Sequence, residues 1–299
     1  MKSACPFIHH FFRNGVELEI KASGLSDTGL VREANEDSFS MEDSLGLYVV
    51  ADGMGGHLAG DVASAMAVEL INKSFRRWRK EETPEDELFG YPDESLSRQG
   101  NYVASSIRLA NRVIYEMAGE YEQYHGMGTT VVLLLVTPGR VIAANIGDSR
   151  IYMVRAERLE RLSRDHTVVA EQIEMGVMKP EEAMNSPIRH VLTRNLGSAE
   201  KVDPEVYELE PSHNDRFILC TDGLTDVVRD EEILQMTQQE DHPEPLCRKL
   251  VEKALSRGAP DNTTVVSIFL SGDKGRTEGP IQRLRGFFGG FRHRLKKDY

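Results

Sequence analysis

The 299-residue chain predicts an α+β fold in which antiparallel sheets stack on one another and helices cover them from outside. Two observations carry that prediction. Strand-like runs and helical runs are grouped rather than strictly alternating: strands, two helices, more strands, two helices and a closing strand. Pro138-Gly139 joins two apolar runs as a tight hairpin, the connection that antiparallel neighbours use. A hydrophobic content of 40% is ample for a sizeable core, in one large domain or two small ones, and no central linker rich in Gly, Ser or Pro divides the chain.

The elements follow in order. Met1–Phe12 (MKSACPFIHHFF) carries a short apolar patch broken by Pro6, His9 and His10. It makes a poor signal peptide, and residues 1–15 are expected to be irregular. Val16–Ala22 alternates apolar and polar residues as an antiparallel strand does. Gly29–Phe39 then supplies Arg32, Asn35, Glu36 and Asp37 in a polar loop ahead of a short strand, and Leu47–Val50 is a further apolar run.

From Leu58 to Lys80, Ala63, Met66, Ala67, Leu70, Ile71 and Phe75 recur at intervals of three and four, and Arg76–Lys80 gives the helix a basic end that suits its dipole. Glu81–Gly100, with Pro84, Gly90, Pro92 and many acids, reads as an exposed excursion. Tyr102–Tyr121 forms a second helix able to pack on the first. Gly128–Val136, Arg140–Asn145 and Ile151–Val154 are strands, Val168–Met175 is a short helix, and an irregular stretch runs on to Pro204. Such long connections inside a compact domain are often functional. Val206–Leu209 and Arg216–Cys220 resume the strands, Glu231–Gln239 and Pro245–Arg257 read as helices, and Thr264–Leu270 closes the domain.

The chemistry is concentrated where strands stop. Leu47–Val50 ends in Ala51-Asp52-Gly53 and passes through Gly55-Gly56, so a carboxylate sits at a rigid edge beside a flexible turn. Arg216–Thr221 ends likewise in Asp222-Gly223, and Gly258–Thr264 (GAPDNTT) places Asp261 just before the last strand. One such Asp-Gly is an ordinary turn. Three acids at strand mouths, on strands lying side by side, would bring carboxylates together with no base to neutralise them, an arrangement tolerable mainly around a cation. Oxygen ligands without His or Cys companions favour Mg²⁺ or Mn²⁺ over Zn²⁺. Asp148, in the turn Ile146–Arg150 (IGDSR), is a further acid at a strand end, and the planar fork of Arg32 is suited to gripping a phosphate.

Composition excludes several classes. A net charge of −12 argues against a general nucleic-acid binder. Cys5, Cys220 and Cys247 are too few and too scattered for a disulfide framework or a zinc knuckle, which fits a reducing cytoplasm, and neither Cys220 nor Cys247 lies in a Cys-led phosphate loop. No window reaches the apolar length of a membrane span.

Taken together, Arg32 followed by NED, VVADGMGG, GTT ahead of a strand, IGDSR, DHT, LCTDGL and DNTT, in that order between about Ile20 and Leu270, resemble the metal-dependent type 2C serine/threonine protein phosphatases, in their bacterial form. The resemblance implies a four-layer αββα sandwich with two central antiparallel β-sheets flanked by helices. It implies that Asp52 bridges two Mn²⁺ or Mg²⁺ ions, with the Gly53 carbonyl on one and Asp222 and Asp261 on the other. Glu36 and Asp37 would act largely through metal-bound waters, and Asp148 with Asp222 would hold a third, weaker ion. Arg32 would bind the substrate phosphate, and a hydroxide between the two ions would attack phosphorus in line.

The sequence departs from the family at Met54, where some members carry a His as a candidate acid for the leaving group; the acid is therefore unassigned. His57 reads better as a surface residue at a helix start. Residues 175–204 match the family's flap in position, and their Arg189, His190 and Arg194 are placed to meet substrate phosphate, acidic neighbours or solvent.

The expected organisation is thus an irregular segment 1–15, a catalytic domain 16–271 and a basic tail 272–299. In the tail, Ile281, Leu284, Phe287, Phe288, Phe291 and Leu295 are interleaved with Arg and Lys, and Gly286, Gly289 and Gly290 weaken any helix. A solvated tail or a weak contact with an anionic membrane or a partner are both open. The expected partners are phosphorylated proteins and a cognate Ser/Thr kinase, for a monomeric enzyme in the cytoplasm or peripheral to the inner face of the membrane. The competing reading is a catalytically silent relative that uses the fold for binding or sensing.

Overall fold

The computed structural model describes residues 2–13, 16–55 and 59–272. Two antiparallel sheets stack face to face. The first, in spatial order, contains β1 (Lys2–Arg13), β2 (Val16–Asp27), β12 (Thr263–Gly272), β11 (Arg216–Cys220), β8 (Arg150–Arg155) and β9 (Arg158–Arg161). The second contains β10 (Glu205–Leu209), β7 (Arg140–Ile146), β6 (Val131–Thr137), β4 (Leu47–Met54) and β3 (Asp37–Glu42), with the short β5 (Gly128–Thr129) also pairing β4.

The pleat explains the layering. On β4, Leu47, Val49 and Ala51 face outward into a core shared with α1 (Ala59–Glu81) and α2 (Arg98–Glu120). Tyr48 and Val50 face inward, against Phe217 and Leu219 of β11 and Val266 and Ile268 of β12. The alternate residues of those strands, Ile218, Cys220 and Val265, pack on α6 (Asp230–Gln239) and α7 (Pro243–Ser256). Three apolar layers separate four structural layers, as expected. Each fully buried Leu, Ile or Phe in them contributes about 1.5–3 kcal/mol of transfer free energy.

Several elements differ from the sequence expectation. Residues 1–15 are not irregular throughout: Lys2–Arg13 pairs antiparallel with β2, with a register shift between Ala4 and Phe7. Pro6 falls in that shift, and a proline there obscures the alternation that marks a strand. The helix expected from Tyr102 begins at Arg98, because the Ser97 side chain accepts from the Gly100 N–H and caps it. The expected continuous strand 128–136 is interrupted at Thr130. The strand β9 and the one-turn helix α5 (Asp222–Thr225) were not legible, since each is only four residues long. The stretch 175–204 contains a short helix, α4 (Pro180–Ala183), after α3 (Val168–Glu174), and is otherwise turns that expose Met175, Val177 and Met184. The basic tail lies outside the described residues.

Candidate active site

The acid-bearing strand ends do not all lie side by side. β11 and β12 are neighbours, with Cys220 opposite Val265, so Asp222 and Asp261 share one end of the first sheet. Asp52 belongs to the second sheet and meets them across the gap. It lies two residues beyond Val50, so the pleat turns it inward with Tyr48 and Val50, and Asp37 sits directly opposite it on β3.

The short motifs hold this junction. Thr129 Oγ1 donates to the Asp52 carbonyl at 2.8 Å and the Asp52 N–H donates to Thr130 Oγ1 at 3.0 Å, which is why the strand breaks there. From the facing sheet, Thr221 Oγ1 and Thr264 Oγ1 donate to Asp37 Oδ2 at 3.0 and 2.7 Å, tying the two sheets through one carboxylate. The glycines after Asp52 and Asp222 allow close backbone approach. A Cβ at Gly53 would lie 2.1 Å from the Gly60 carbonyl oxygen, and one at Gly223 would lie 1.9 Å from that of Asn262.

Asn262 organises the loop that carries the arginine. Its Nδ2 donates to the carbonyls of Thr28 and Ala34, both at 2.9 Å, and its Oδ1 accepts from the Glu36 N–H at 2.8 Å. Arg32, whose side chain is 55% exposed, thereby points its Nη2 at Asp261 Oδ2, 2.7 Å away, with one face open to solvent. That hydrogen bond to Asp261 raises the guanidinium pKa further.

Asp148 enters from the turn between β7 and β8. Its neighbour Ser149 lies 2.7 Å from Thr130 by its Oγ, Arg150 grips Asp165 by two bonds of 3.1 and 2.8 Å, and His166 Nδ1 accepts from the Gly147 N–H at 3.0 Å. The motifs GTT, GDSR and DHT are thus one interlocked unit. Over it the flap delivers His190, with Nδ1 3.4 Å from Asp222 and Nε2 3.3 Å from Asp226. Asp222 and Asp226 raise the imidazole pKa above its ordinary value. Arg189 lies 3.6 Å from Asp226 and Arg194 3.1 Å from Glu205, so these two flap residues meet acidic neighbours as His190 does.

The electrostatics are those of carboxylates short of positive charge. Burial, with Asp222 and Asp261 nearby, pushes the Asp37 carboxyl up to about 7. Burial and the neighbouring Asp37, Asp222 and Asp148 push Asp52 well above the ordinary range. Burial and Asp222 push Asp148 up to about 7. Burial raises Glu36 too, and Asp61 adds to it. Among the described residues Asp37 Oδ1 and Asp61 Oδ1 are buried with no hydrogen-bond partner, as oxygens suited to face a cation are. The ligand atoms of Asp148, His190 and Asp222 lie within 4.8 Å of one another, close enough for a single ion. The carboxylate oxygens suit Mn²⁺ or Mg²⁺, and the imidazole of His190 is a departure from the all-oxygen set expected from the sequence.

All eight residues singled out in the sequence, Arg32, Glu36, Asp37, Asp52, Gly53, Asp148, Asp222 and Asp261, lie in this one constellation; Gly53 joins it through its N–H, which donates to the Glu36 carbonyl at 3.2 Å. Residues that sequence reasoning missed are Asp61, Asp226, Asn262, Thr221, Thr264 and His166. Four of these stand inside or beside the quoted motifs, which was the available signal. Met54 turns its sulfur to Asn195 Nδ2, and His57 lies outside the described residues.

Comparison with known proteins agrees. Residues 21–263 match the protein phosphatase 2C family. The chain is 33% identical over 246 residues to the serine/threonine phosphatase stp of Listeria monocytogenes, covering 81% of this chain and 93% of the relative. It is 35% identical over 251 residues to the serine/threonine protein phosphatase PstP of Mycobacterium tuberculosis, covering 84% of this chain and 45% of that longer protein. Among solved structures, the PstP catalytic domain in complex with two manganese ions superposes with a TM-score of 0.71 at 32% identity, over 85% of this chain and 99% of that one. With the motifs in one junction and the match spanning nearly the whole described domain, the chain belongs to the protein phosphatase 2C family.

Proposed function

We propose that Asp52, the Gly53 carbonyl, Asp222, Asp261, Glu36 and Asp37 hold two Mn²⁺ or Mg²⁺ ions, and that Asp148 and Asp222, joined by His190, hold a weaker third. The enzyme is a metal-dependent serine/threonine protein phosphatase, and this set of residues is where it works. The observation that carries the assignment is the convergence of carboxylates from both sheets, with Asp37 Oδ1 buried and without a hydrogen-bond partner among the described residues. Bound there, the ions supply a water activated as nucleophile at neutral pH and neutralise phosphoryl charge.

The chain's own residues do the rest. Arg32, half-exposed and held by Asp261, is placed to take two phosphoryl oxygens with its fork and to orient the ester for in-line displacement. Asp52 and Asp37, fixed by the Thr129, Thr130, Thr221 and Thr264 hydroxyls and amides, keep the reacting centre in one geometry. His190, held by the flap over Asp222 and Asp226, completes the third-ion group from the solvent side, and the acid for the leaving alkoxide that Met54 cannot supply stays unassigned.

Domain 16–271 is the catalytic unit, with 175–204 as its flap. The substrates are proteins phosphorylated on serine or threonine. We infer further that a cognate Ser/Thr kinase supplies them, that the enzyme acts as a monomer in the cytoplasm, and that the basic tail makes at most a weak contact with the membrane face. Among the described residues no helix is long and apolar enough to cross a membrane.

The test is hydrolysis of a phosphothreonine peptide by metal-stripped protein titrated with Mn²⁺ and Mg²⁺, beside Asp222→Asn. Activity restored in the wild type alone supports the assignment. Full activity in the mutant, or none in the wild type with either metal, would sink it.

A further inference from the structure

Strand β3 starts in the acid cluster and runs away from it along the open side of the second sheet. It pairs β4 without a register shift, from Asp37 opposite Asp52 to Glu42 opposite Leu47, and stands at the end of its sheet. Two bonds fix the phase of the ladder. The Gly53 N–H donates to the Glu36 carbonyl at 3.2 Å, and the Asp52 carbonyl accepts from the Thr130 N–H, on the other side of β4, at 2.8 Å.

Hydrogen-bonded and non-hydrogen-bonded pairs alternate in an antiparallel ladder, so Ser38 and Ser40 exchange bonds with β4. The N–H and C=O groups of Phe39 and Met41 therefore point to the open edge. The Asp37 N–H, in the same phase, is taken by Asn35 Oδ1 at 3.1 Å. Phe39 and Met41 have no such partner among the described residues.

A groove of about 530 Å³ follows this edge, lined by Phe39 and Met41, by Ser26 of β2 and by Ala65 and Asn72 of α1, and it ends at Asp37. Edge strands are commonly blunted by proline, lysine or a bulge. The strand Asp37–Glu42 (DSFSME) has none of these.

We propose that the stretch of phosphoprotein substrate flanking the phosphoresidue lies extended in this groove and adds a strand to β3. The occupant follows from continuity: the groove reaches Asp37, the one residue it shares with the acid cluster in which the phosphoresidue is hydrolysed. At about 3.4 Å per residue, Met41 stands about 14 Å from Asp37, within reach of the fourth or so residue from the phosphoresidue. Main-chain bonding of this kind gives affinity that is indifferent to side-chain identity, with alternate side chains free to read the groove. The inference rests on the phosphatase reading of the site.

The test uses the Mn²⁺-loaded enzyme and a phosphothreonine peptide extended on both sides, compared with versions N-methylated at one or the other alternating set of flanking amides. One set on one side is expected to raise KM about fivefold for each hydrogen bond blocked, with kcat little changed, and the other set to have no effect. Parent-like KM for every methylated peptide would overturn the proposal. No hydrolysis of the unmodified peptide would instead overturn the phosphatase reading, and this inference with it. Met41→Pro removes the outward N–H at a position where an edge strand tolerates proline. With its fold verified by thermal unfolding, it is expected to raise KM for the parent peptide by the same factor. A dimer in sedimentation that Met41→Pro dissociates, with peptide KM unaltered, would assign the edge to a second copy and refute substrate pairing.

Discussion

Replacing Asp37 by asparagine should stabilise the metal-free enzyme and weaken its response to metal. The side chain is 4% exposed, accepts two hydroxyl bonds on Oδ2 and none on Oδ1. Raising its carboxyl from 3.8 to about 7 corresponds to about 4 kcal/mol against the ionised form. Local relaxation and water entry bring the recoverable part to about 2 kcal/mol. An asparagine of the same shape keeps both hydroxyl bonds and loses the charge. The sign follows from linkage. Because the folded-state pKa is raised, the penalty is absent below 3.8, grows as pH rises, and is complete near 7.

Thermal unfolding in chelator should therefore show Asp37→Asn about 5 °C above wild type near pH 8, and nearly equal to it near pH 4. Saturating Mn²⁺ should reverse the order, since ligand at about a hundred times its Kd adds about 2.7 kcal/mol to the form that binds it. A lower midpoint for Asp37→Asn in chelator near pH 8, or an advantage that persists undiminished at pH 4, would refute the reasoning.

Other outcomes follow from the same geometry. Arg32→Lys keeps the charge but loses the fork, and should lower kcat/KM on a phosphopeptide by about 10- to 100-fold; an unchanged value would remove Arg32 from phosphate binding. Asn262→Ala deletes three hydrogen bonds of 2.8–2.9 Å that hold the Arg32 loop, and should cost about 2–3 kcal/mol in urea unfolding while reducing turnover. Arg155→Ala strands the Asp215 carboxylate, which is 0% exposed and bonded by Arg155 at 2.7 and 2.6 Å. It should cost about 3 kcal/mol in stability with kcat/KM for a phosphopeptide retained.

The layered fold and most of its elements were legible because the central strands are short apolar runs bounded by turn residues and each long helix shows an apolar stripe. What escaped was short or mediated by distant partners. β9 and α5 offer too few residues for a period to register. β1 is obscured by Pro6, and its pairing is visible only once β2 is in place. The site acids were found through repeated Asp-Gly at strand ends, but their presentation from two different sheets was not. A sequence records that Leu219 and Val50 are apolar, not that they face one another. His190 and Asp226 became partners only through the path of the flap, and Asn262 looks like any turn residue until its three bonds are traced.

The bonds of Asn262 to Thr28, Ala34 and Glu36 also bear on how the enzyme comes into being. They join positions more than two hundred residues apart. A contact of that span closes late in folding, because the intervening chain must be ordered before the ends can meet. On the ribosome, the Arg32 loop therefore waits for the last strand to emerge. A nascent chain arrested before Asp261 lacks both this anchor and a candidate metal ligand, and is expected to be inactive. Activity is then expected only once β12 has been made and paired.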